Sequence, residues 1–234
     1  MLTYNIWNYS GGWRERRHLL VQLLRDADAD VIALQEVRHN WRDLPGWNQG
    51  RWLARQTGYV LTYRPAAVLW PVPPVVEGLA FLTRTAGRVR AYTVPRLPWS
   101  GPRRCILETQ VQGVRLFNVH FPLTERARIA EARSLAQLIA VGSGPAVVLG
   151  DLNADSDQEP LILLRDSGLQ DAWEAASSGA SGPAWPCQRR IDYILTRGMR
   201  PTGGGCTVIG AQPGPSGCYP SDHVGLIADL EVVG

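Results

Sequence analysis

Short apolar runs alternate along the chain with segments whose apolar residues recur at helical spacing. Residues 2–8, 31–34 and 146–149 have the length and apolar content of buried strands. Residues 14–27 place four leucines on one face, which predicts an amphipathic helix after the first strand. This alternation of strands and helices predicts an α/β fold.

The middle of the chain predicts strands that follow one another without helices between them. Residues 79–83, 89–94, 105–111 and 114–120 are rich in strand-forming residues. Gly113 marks a hairpin turn between the last two of these strands. The sheet or sheets of this protein are therefore expected to contain antiparallel pairs as well.

The second half of the chain predicts one more long helix and two final strands. The helix covers residues 125–141 with Thr124 as its amino-terminal cap, and the strands cover 191–196 and 224–232. No compositional break marks a linker, so we expect one domain over residues 1–234. Stretches rich in Pro, Gly and Trp predict loops at residues 40–52, 64–76, 95–103 and 174–189.

The composition is that of a globular protein. Of the 234 residues, 45% are hydrophobic and 19% are charged, which is enough to bury a sizeable core. No apolar run approaches the ~20 residues of a membrane span. The amino terminus lacks the features of a signal peptide, so we expect a cytoplasmic protein, although a secreted protein without its leader has the same appearance.

All 24 basic residues are arginines, and the formal net charge is +3. Codon bias or heat adaptation explains such an excess in general, but arginine also suits the recognition of phosphate oxygens. The small positive charge permits nucleic acid as a partner without requiring it.

Cysteine usage argues against a structural zinc site. The four cysteines at 105, 187, 206 and 218 contain no Cys-x-x-Cys pair. Cys206 and Cys218 could bridge a loop in an oxidising compartment, but we favour free thiols.

Polar residues that can carry chemistry lie at the ends of several of the expected strands. Asp151 and Asn153 follow an apolar strand and Gly150, and their side chains at i and i+2 point the same way. A carboxylate beside an amide can orient a water and contact a phosphoryl oxygen. A simple turn explains the same residues, because Gly, Asp and Asn all favour turns.

A second set of candidates combines imidazole and carboxylate groups near the carboxyl terminus. His223 can stabilise developing negative charge, and its neighbour Asp222 can bind a cation. Asp192 lies within an apolar strand, where a buried carboxylate needs a partner such as an imidazole. The competing interpretation of Asp192 is a strand-edge residue that faces water.

The first half of the chain supplies candidates for a cation site. Glu36 ends an apolar strand, a position suited to a ligand of a hard cation, although a loop acid is the simpler interpretation. Asn5 lies among apolar residues and needs a hydrogen-bond partner. His120 also ends a strand, where a structural histidine is the ordinary expectation.

Together these segments resemble the endonuclease/exonuclease/phosphatase superfamily. The order of the motifs along the chain is the order found in that family, and the resemblance runs from residue 3 to about residue 232. The motifs are TYNIWN (3–8), LQEV (34–37), EGLAFLTR (77–84), FNVHF (117–121), GDLNAD (150–155), RIDYIL (190–195) and SDHVGL (221–226).

The resemblance implies an α/β fold, a four-layer sandwich of two mixed β-sheets flanked by helices. It also implies a Mg²⁺ or Mn²⁺ ion at Glu36, with Asn5 and Asp222 nearby. It implies no stable protein partner, so we expect a monomer.

The resemblance further implies the roles of the catalytic residues. Asp151 would orient or deprotonate the attacking water, while Asn153, His120 and His223 would contact the scissile phosphate. Asp192 would pair with His223. Glu77 would support His120, and the residues expected to contact substrate are Asn118, Arg38 and Arg104.

These expectations define the candidate functions. The first is a metal-dependent phosphodiesterase, specifically a DNA endonuclease or exonuclease. The second is a phosphatase or phosphodiesterase that acts on a small molecule or phospholipid, and the third is an inactive binding module on the same scaffold. Loop tryptophans, among them Trp41, Trp47 and Trp52, can stack on bases or simply pack.

Overall fold

The computed structural model describes residues 1–40, 47–71, 74–94, 104–176 and 189–233. Within these residues, strands and helices alternate as the apolar pattern predicts. The elements are β1 (Leu2–Asn5), α1 (Trp13–Ala27), β2 (Val31–Asn40), β3 (Trp47–Asn48), α2 (Gln49–Thr57), β4 (Val60–Pro71), β5 (Pro74–Thr83), β6 (Arg88–Thr93), β7 (Cys105–Val111), β8 (Val114–His120), α3 (Glu125–Ala140), β9 (Ala146–Asp151), α4 (Glu159–Asp166), β10 (Gln170–Asp171), α5 (Ala172–Ala176), β11 (Asp192–Arg197), β12 (Met199–Ile209) and β13 (Gly225–Val232).

The strands form two mixed sheets. The first has the order β12-β13-β1-β2-β5-β4, with β3 paired to β2, and the second has the order β10-β11-β9-β8-β7-β6. The pairs β1–β2 and β8–β9 are parallel, whereas the other pairs are antiparallel. The parallel pairs lie at the centre of their sheets and carry the residues that approach one another across the two sheets.

Three apolar clusters hold the layers together. One lies between the sheets and includes Ala33, Phe81 and Leu149. The other two cover the outer faces, where α1 and α2 pack on the first sheet and α3 and α4 on the second. Because the central strands are buried on both faces, their sequences are continuous apolar runs. The expected four-layer sandwich is confirmed.

Several predicted boundaries were wrong. β1 ends at Asn5 and not at residue 8, because Trp7 and Asn8 adopt left-handed backbone conformations with φ of 54° and 35°. β2 continues to Asn40 with a register shift between Leu34 and Val37. An irregular strand of this kind interrupts the alternation on which the prediction depends.

The predicted loops were also partly wrong. Most of residues 64–76 belongs to the pair β4–β5, and the end of 40–52 belongs to α2. Residues 95–103, and the predicted loop positions within 41–46 and 177–188, lie outside the described residues. Thr124 does precede α3, but its side chain makes no capping hydrogen bond. Cys206 and Cys218 are free thiols.

Asn118 joins the two sheets. Its side chain is fully buried, and Nδ2 donates to the carbonyl oxygens of Leu34 at 3.1 Å and Ala80 at 2.9 Å. Gln35 Nε2 donates to Asn118 Oδ1 at 2.8 Å. Both ends of the amide are therefore occupied within the sheet interface. This position differs from the substrate contact that the resemblance implied.

A fully buried arginine in α1 fastens two loops to one another. Arg16 has no exposed surface, and within the described residues its partners are carbonyl oxygens, not carboxylates. Such a charge is stabilised only where its donors are all satisfied. The guanidinium donates to the carbonyl oxygens of Ile6, Trp7, Asn8, Ser10 and Pro220.

No helix among residues 1–40, 47–71, 74–94, 104–176 and 189–233 is long and apolar enough to cross a membrane.

We predict that Arg16→Met lowers the free energy of unfolding by about 3–5 kcal/mol, because it leaves several buried carbonyl groups without donors. Urea unfolding followed by circular dichroism measures the change. Arg14→Met is the matched control, since Arg14 is exposed on the same helix and its loss should change stability by less than about 0.5 kcal/mol. Equal effects of the two substitutions would contradict the role of Arg16.

Candidate active site

The site forms where strand ends from both sheets meet. Asn5 ends β1, His120 ends β8, Asp151 ends β9 and Asp192 begins β11. β9 pairs with both neighbours at this point, so Asp151 lies opposite His120 on one side and Asp192 on the other. The fold thus brings together four of the predicted residues.

Asp151 is the centre of this group. Its Oδ2 accepts a hydrogen bond from Asn5 Nδ2 at 3.1 Å and its Oδ1 accepts one from the Asn153 amide at 2.9 Å. The same Oδ2 lies 3.5 Å from His120 Nε2 and 3.8 Å from His223 Nε2. The carboxylate is therefore placed between two imidazoles.

Gly150 allows the close approach of β8 and β9 beside this carboxylate. A Cβ atom at position 150 would overlap the carbonyl group of Val119. The sequence suggested Gly150 as a turn residue, and the structure shows that it also allows close packing of two strands. It lets the strand bearing Asp151 lie directly against the strand bearing His120.

His223 and Asp192 form a charged pair. His223 Nδ1 donates to Asp192 Oδ2 at 2.8 Å, and Asp192 is buried. Burial alone lowers the pKa of His223, but the hydrogen bond and charge of Asp192, together with Asp151 and Asp222, outweigh it and raise the pKa to about 9. The imidazole is therefore protonated at neutral pH.

His120, unlike His223, is uncharged. Burial, the Arg104 guanidinium and the charge of His223 hold the pKa of His120 well below its ordinary value. Arg104 Nη1 lies 3.2 Å from His120 Nδ1. Arg104 Nη2 also lies 3.4 Å from His120 Nε2, but the closer guanidinium contact is at Nδ1, and the Asp151 carboxylate lies 3.5 Å from Nε2. We therefore assign the proton to Nε2, where Asp151 can accept it.

Glu77 reaches His120 only through an arginine. The carboxylate contacts Arg104 at 3.6 Å and Arg38 at 3.2 Å. Burial, followed by the charge of Glu36, raises the pKa of Glu77 against the effect of the two arginines. Arg104 therefore lies between Glu77 and His120. Any support that Glu77 gives to His120 acts through this arginine.

The site concentrates negative charge. Burial and then Asp192 raise the pKa of Asp151 to about 7, and burial is also the largest cause of the raised pKa of Asp192 and of Asp222. The charge of Glu36 contributes to the shifts of Asp192 and Asp222. Carboxylates crowded in this way resist ionisation unless a cation compensates them.

Glu36 is held by two asparagines. Asn8 Nδ2 donates to Oε2 at 2.6 Å and Asn5 Nδ2 lies 3.3 Å from Oε1. Glu36 itself has a φ of 56°, a strained conformation for a residue with a side chain. The role of Asn8 was missed by sequence reasoning, although it lies three residues after Asn5 in the first motif.

The oxygen of Asn5 faces away from the carboxylates. Asn5 Oδ1 accepts a hydrogen bond from the Trp7 amide at 3.0 Å, so in this arrangement Asn5 positions Glu36 and Asp151 through its nitrogen. Ser221 Oγ donates to the Asn5 carbonyl at 2.7 Å. The motif that carries Asp222 is thereby joined to the end of β1.

Two groups of residues can hold a cation. Potential ligand atoms of Asp151, Asp192 and His223 lie within 4.8 Å of one another, and Asp192 Oδ1 is buried without a partner. However, a protonated imidazole that donates to Asp192 is not a ligand. Asp222 and Glu36, whose charges interact, form a second candidate group of oxygen ligands.

The remaining predicted residues border this centre. Asn153 has a φ of 48° and its Nδ2 donates to the Phe121 carbonyl at 2.9 Å, which fixes its side chain near Asp151. Arg38 and Arg104 retain side-chain exposures of 23% and 12%, enough to meet a ligand beside His120. Asn118 lies beneath the site and does not reach it.

Of the two interpretations of the loop tryptophans, packing is the one observed for Trp52. Trp52 packs edge-on against Trp13, with ring centroids 6.1 Å apart, between α1 and α2. Trp7, which sequence reasoning did not single out, instead lines a cleft beside Asp222 and His223. Its position within the first motif was the available signal.

Comparison with protein families gives one match over nearly the whole chain. Residues 2–223 match the model of the Endonuclease/Exonuclease/phosphatase family. This match confirms the resemblance carried by the motifs. Comparison with curated proteins found no significant match.

Solved structures show the same fold at low sequence identity. A functionally unknown conserved protein from Enterococcus faecalis V583 is 22% identical, with a TM-score of 0.79, and the match covers 99% of this chain and 100% of that one. Humanized TDP2 from D. rerio is 16% identical, with a TM-score of 0.71 and coverages of 99% and 97%. A mannosyl-6-phosphatase from Bacteroides thetaiotaomicron is 18% identical, with a TM-score of 0.70 and 98% of both chains covered.

We predict a bell-shaped dependence of kcat/KM on pH. Activity rises as Asp151 loses its proton, at or below pH 7, and falls as His223 loses its proton near pH 9. Asp192→Asn keeps an acceptor for His223 but removes the charge that raises its pKa. The alkaline limb should therefore move toward the ordinary imidazole value of ~6.5.

Initial rates on a chromogenic diester between pH 5 and 10 measure this shift. Asp229→Asn is the matched control, because Asp229 is exposed on β13, the strand that follows His223. An alkaline limb that stays in place in Asp192→Asn would show that Asp192 does not control the His223 proton.

Proposed function

Because the chain belongs to the endonuclease/exonuclease/phosphatase family, we propose that it is a divalent-metal-dependent phosphodiesterase that cleaves DNA. The family consists of phosphoester hydrolases, so the chain is an enzyme of that class. The observation that carries the proposal is Asp151 between a neutral and a protonated imidazole. We take residues 1–234 as a single catalytic domain.

Asp151 acts on the attacking water. Its pKa of about 7 makes it a competent base at neutral pH, and hydrogen bonds from Asn5 and Asn153 hold its orientation. The water oxygen forms a bond to phosphorus while the ester oxygen departs. The proton of the water goes to Asp151, and the leaving oxygen takes a proton from solvent or from the site.

The two imidazoles stabilise the phosphoryl charge in different ways. His223 carries a positive charge supported by Asp192, and its Nε2 faces Asp151 and the substrate position. His120 is neutral and donates through Nε2. Asn153 is expected to contact the same phosphate. Pre-oriented donors of this kind are the largest contribution to many enzymatic rate enhancements.

The carboxylates fit a divalent cation. Glu36 and Asp222 would hold Mg²⁺ or Mn²⁺ through oxygen, the ligand type that hard cations prefer, with Asn5 and Asn8 fixing Glu36. Burial and the charge of Glu36 raise the pKa of Asp222, which supports a site that is incomplete without positive charge. When bound, the ion supplies charge neutralisation at the phosphoryl group.

The arginines next to His120 support a polyanionic substrate. Arg38 and Arg104 both contact the carboxylate of Glu77, so two guanidinium groups lie on this side of the site. Arginine contacts to neighbouring phosphates position a nucleic acid without reading its sequence. We therefore expect little base preference.

We predict that Glu36→Gln lowers activity by at least ~10²-fold, because the amide keeps the shape of the side chain but not its charge. Calorimetric titration with Mn²⁺ should show weakened binding in the same variant. Glu15→Gln is the control, since Glu15 is exposed on α1. Full activity of Glu36→Gln, or of the parent enzyme in EDTA, would rule out the metal-dependent proposal.

We predict that Arg38→Ala reduces cleavage of DNA more than cleavage of bis-p-nitrophenyl phosphate, because only DNA has neighbouring phosphates to contact. Cleavage of DNA should also weaken as salt rises. Assays with plasmid, single-stranded DNA and RNA in Mg²⁺ or Mn²⁺ provide the measurement. Intact nucleic acids, together with turnover of a sugar phosphate, inositol phosphate or phospholipid, would establish the alternative function.

A further inference from the structure

A cleft of about 480 Å³ opens beside His223, and neither Arg38 nor Arg104 lines it. This volume lies within the ~300–1,000 Å³ range of small-ligand sites. One end of the cleft is polar and contains the catalytic residues, and the rest is aromatic or has small apolar side chains. Its lining consists of Trp7, Gly11, Arg16, Gly210, Ala211, Cys218, Tyr219, Ser221, Asp222, His223 and Val224.

The Trp7 ring is rigidly seated in this cleft. A Cβ atom at position 11 would overlap the ring, so Gly11 provides the surface on which it rests. The Arg16 guanidinium lies 4.9 Å from the ring centroid. Trp7 remains half-buried, so this support leaves part of the ring toward the cleft. A supported ring can bind a ligand with little loss of conformational freedom.

The cleft offers a ligand no free arginine donor. The N–H groups of Arg16 are directed at carbonyl oxygens, so the side chain supports Trp7 without offering a site for a second phosphate. Tyr219 contributes a second aromatic ring and is 51% exposed. The lining therefore favours a flat, uncharged ring over another anionic group.

The two sides of the site differ in chemistry. Asp151 Oδ2 lies near both imidazoles; Arg104 lies beyond His120, whereas the cleft lies beyond His223. A phosphate at Asp151 thus has a cationic surface on one side and an aromatic cleft on the other. A DNA strand has more phosphates on one side of its terminal linkage, and only a nucleoside on the other.

We propose that the cleft binds the base of the terminal nucleotide, so that the enzyme removes nucleotides from a strand end. This inference rests on the proposed function and specifies its substrate. The water oxygen forms a new bond to phosphorus while the P–O ester bond of the terminal linkage breaks. The proton of the water goes to Asp151 and the departing ester oxygen takes a proton, so the terminal residue separates from the shortened strand. The remaining phosphates of the DNA strand lie beside Arg104 and Arg38.

Two chromogenic diesters with the same leaving group test the binding of the base. Thymidine 5′-(p-nitrophenyl phosphate) carries a base, whereas methyl p-nitrophenyl phosphate does not. We expect KM to be about 10-fold lower for the thymidine diester, in line with the stacking of one base. Tyr219→Ala and Trp7→Leu should both abolish this advantage, and Tyr219→Ala should leave kcat/KM for the methyl diester unchanged.

Trp52→Leu is the matched control, because it removes a tryptophan that packs between helices outside the cleft. We expect Tyr219→Ala to fold like the parent enzyme, since half of this side chain is exposed. A loss of base binding in this variant is therefore not explained by misfolding. Calorimetry adds a readout that needs no turnover. Thymidine monophosphate should bind the parent enzyme about 10-fold more tightly than inorganic phosphate, and Tyr219→Ala should remove the difference.

End-directed cleavage is tested with linear and circular single-stranded DNA. We expect mononucleotides from the linear strand and an intact circle, because a circle has no terminal nucleotide. A circle cut as fast as the linear strand would overturn the inference, and so would equal KM values for the two diesters. Neither result affects the proposed function, which fails if no DNA is hydrolysed with Mg²⁺ or Mn²⁺.

Discussion

The guanidinium of Arg16 is the interaction on which the geometry of the site depends. It binds carbonyl groups on both sides of the site, four in the segment after β1 and one at Pro220. The first segment positions Asn5 and Asn8 against Glu36, and the second positions Ser221, Asp222 and His223. A buried charge is costly unless its donors are satisfied, so the same requirement that stabilises Arg16 also determines the loop conformations.

Electrostatic strain is concentrated where the chemistry occurs. Asp151 and Asp192 are buried with raised pKa values, and Glu36 has a left-handed backbone conformation. Each feature costs stability and is retained only because the surrounding structure enforces it. A bound cation and a phosphate bring opposite charges to this region. The buried carboxylates and imidazoles of the folded enzyme are thus arranged to interact with the charges of the cation and the phosphate.

The apolar periods of strands and helices predicted an α/β fold, and the resemblance carried by the motifs implied the two-sheet sandwich. The prediction failed at β2, where the irregularity at Glu36 interrupts the strand pattern, and at β4, where Pro and Trp suggested a loop. Among site residues, the strand ends brought Asn5, His120, Asp151 and Asp192 together as expected. The position of Asn118 in its motif does not reveal that both ends of its amide form hydrogen bonds between the sheets.

The identity of the chemical groups, and the strand ends that carry them, could be predicted from the sequence because both are local properties of the chain. Their charge states depend on how the chain folds. His120 is neutral beside Arg104, and His223 is protonated beside Asp192, although the two histidines are the same side chain. The tertiary structure also made Trp7 part of the cleft by packing its ring on Gly11 and Arg16. The physical reason is that pKa values and cleft shape depend on burial and on distances between groups far apart in sequence.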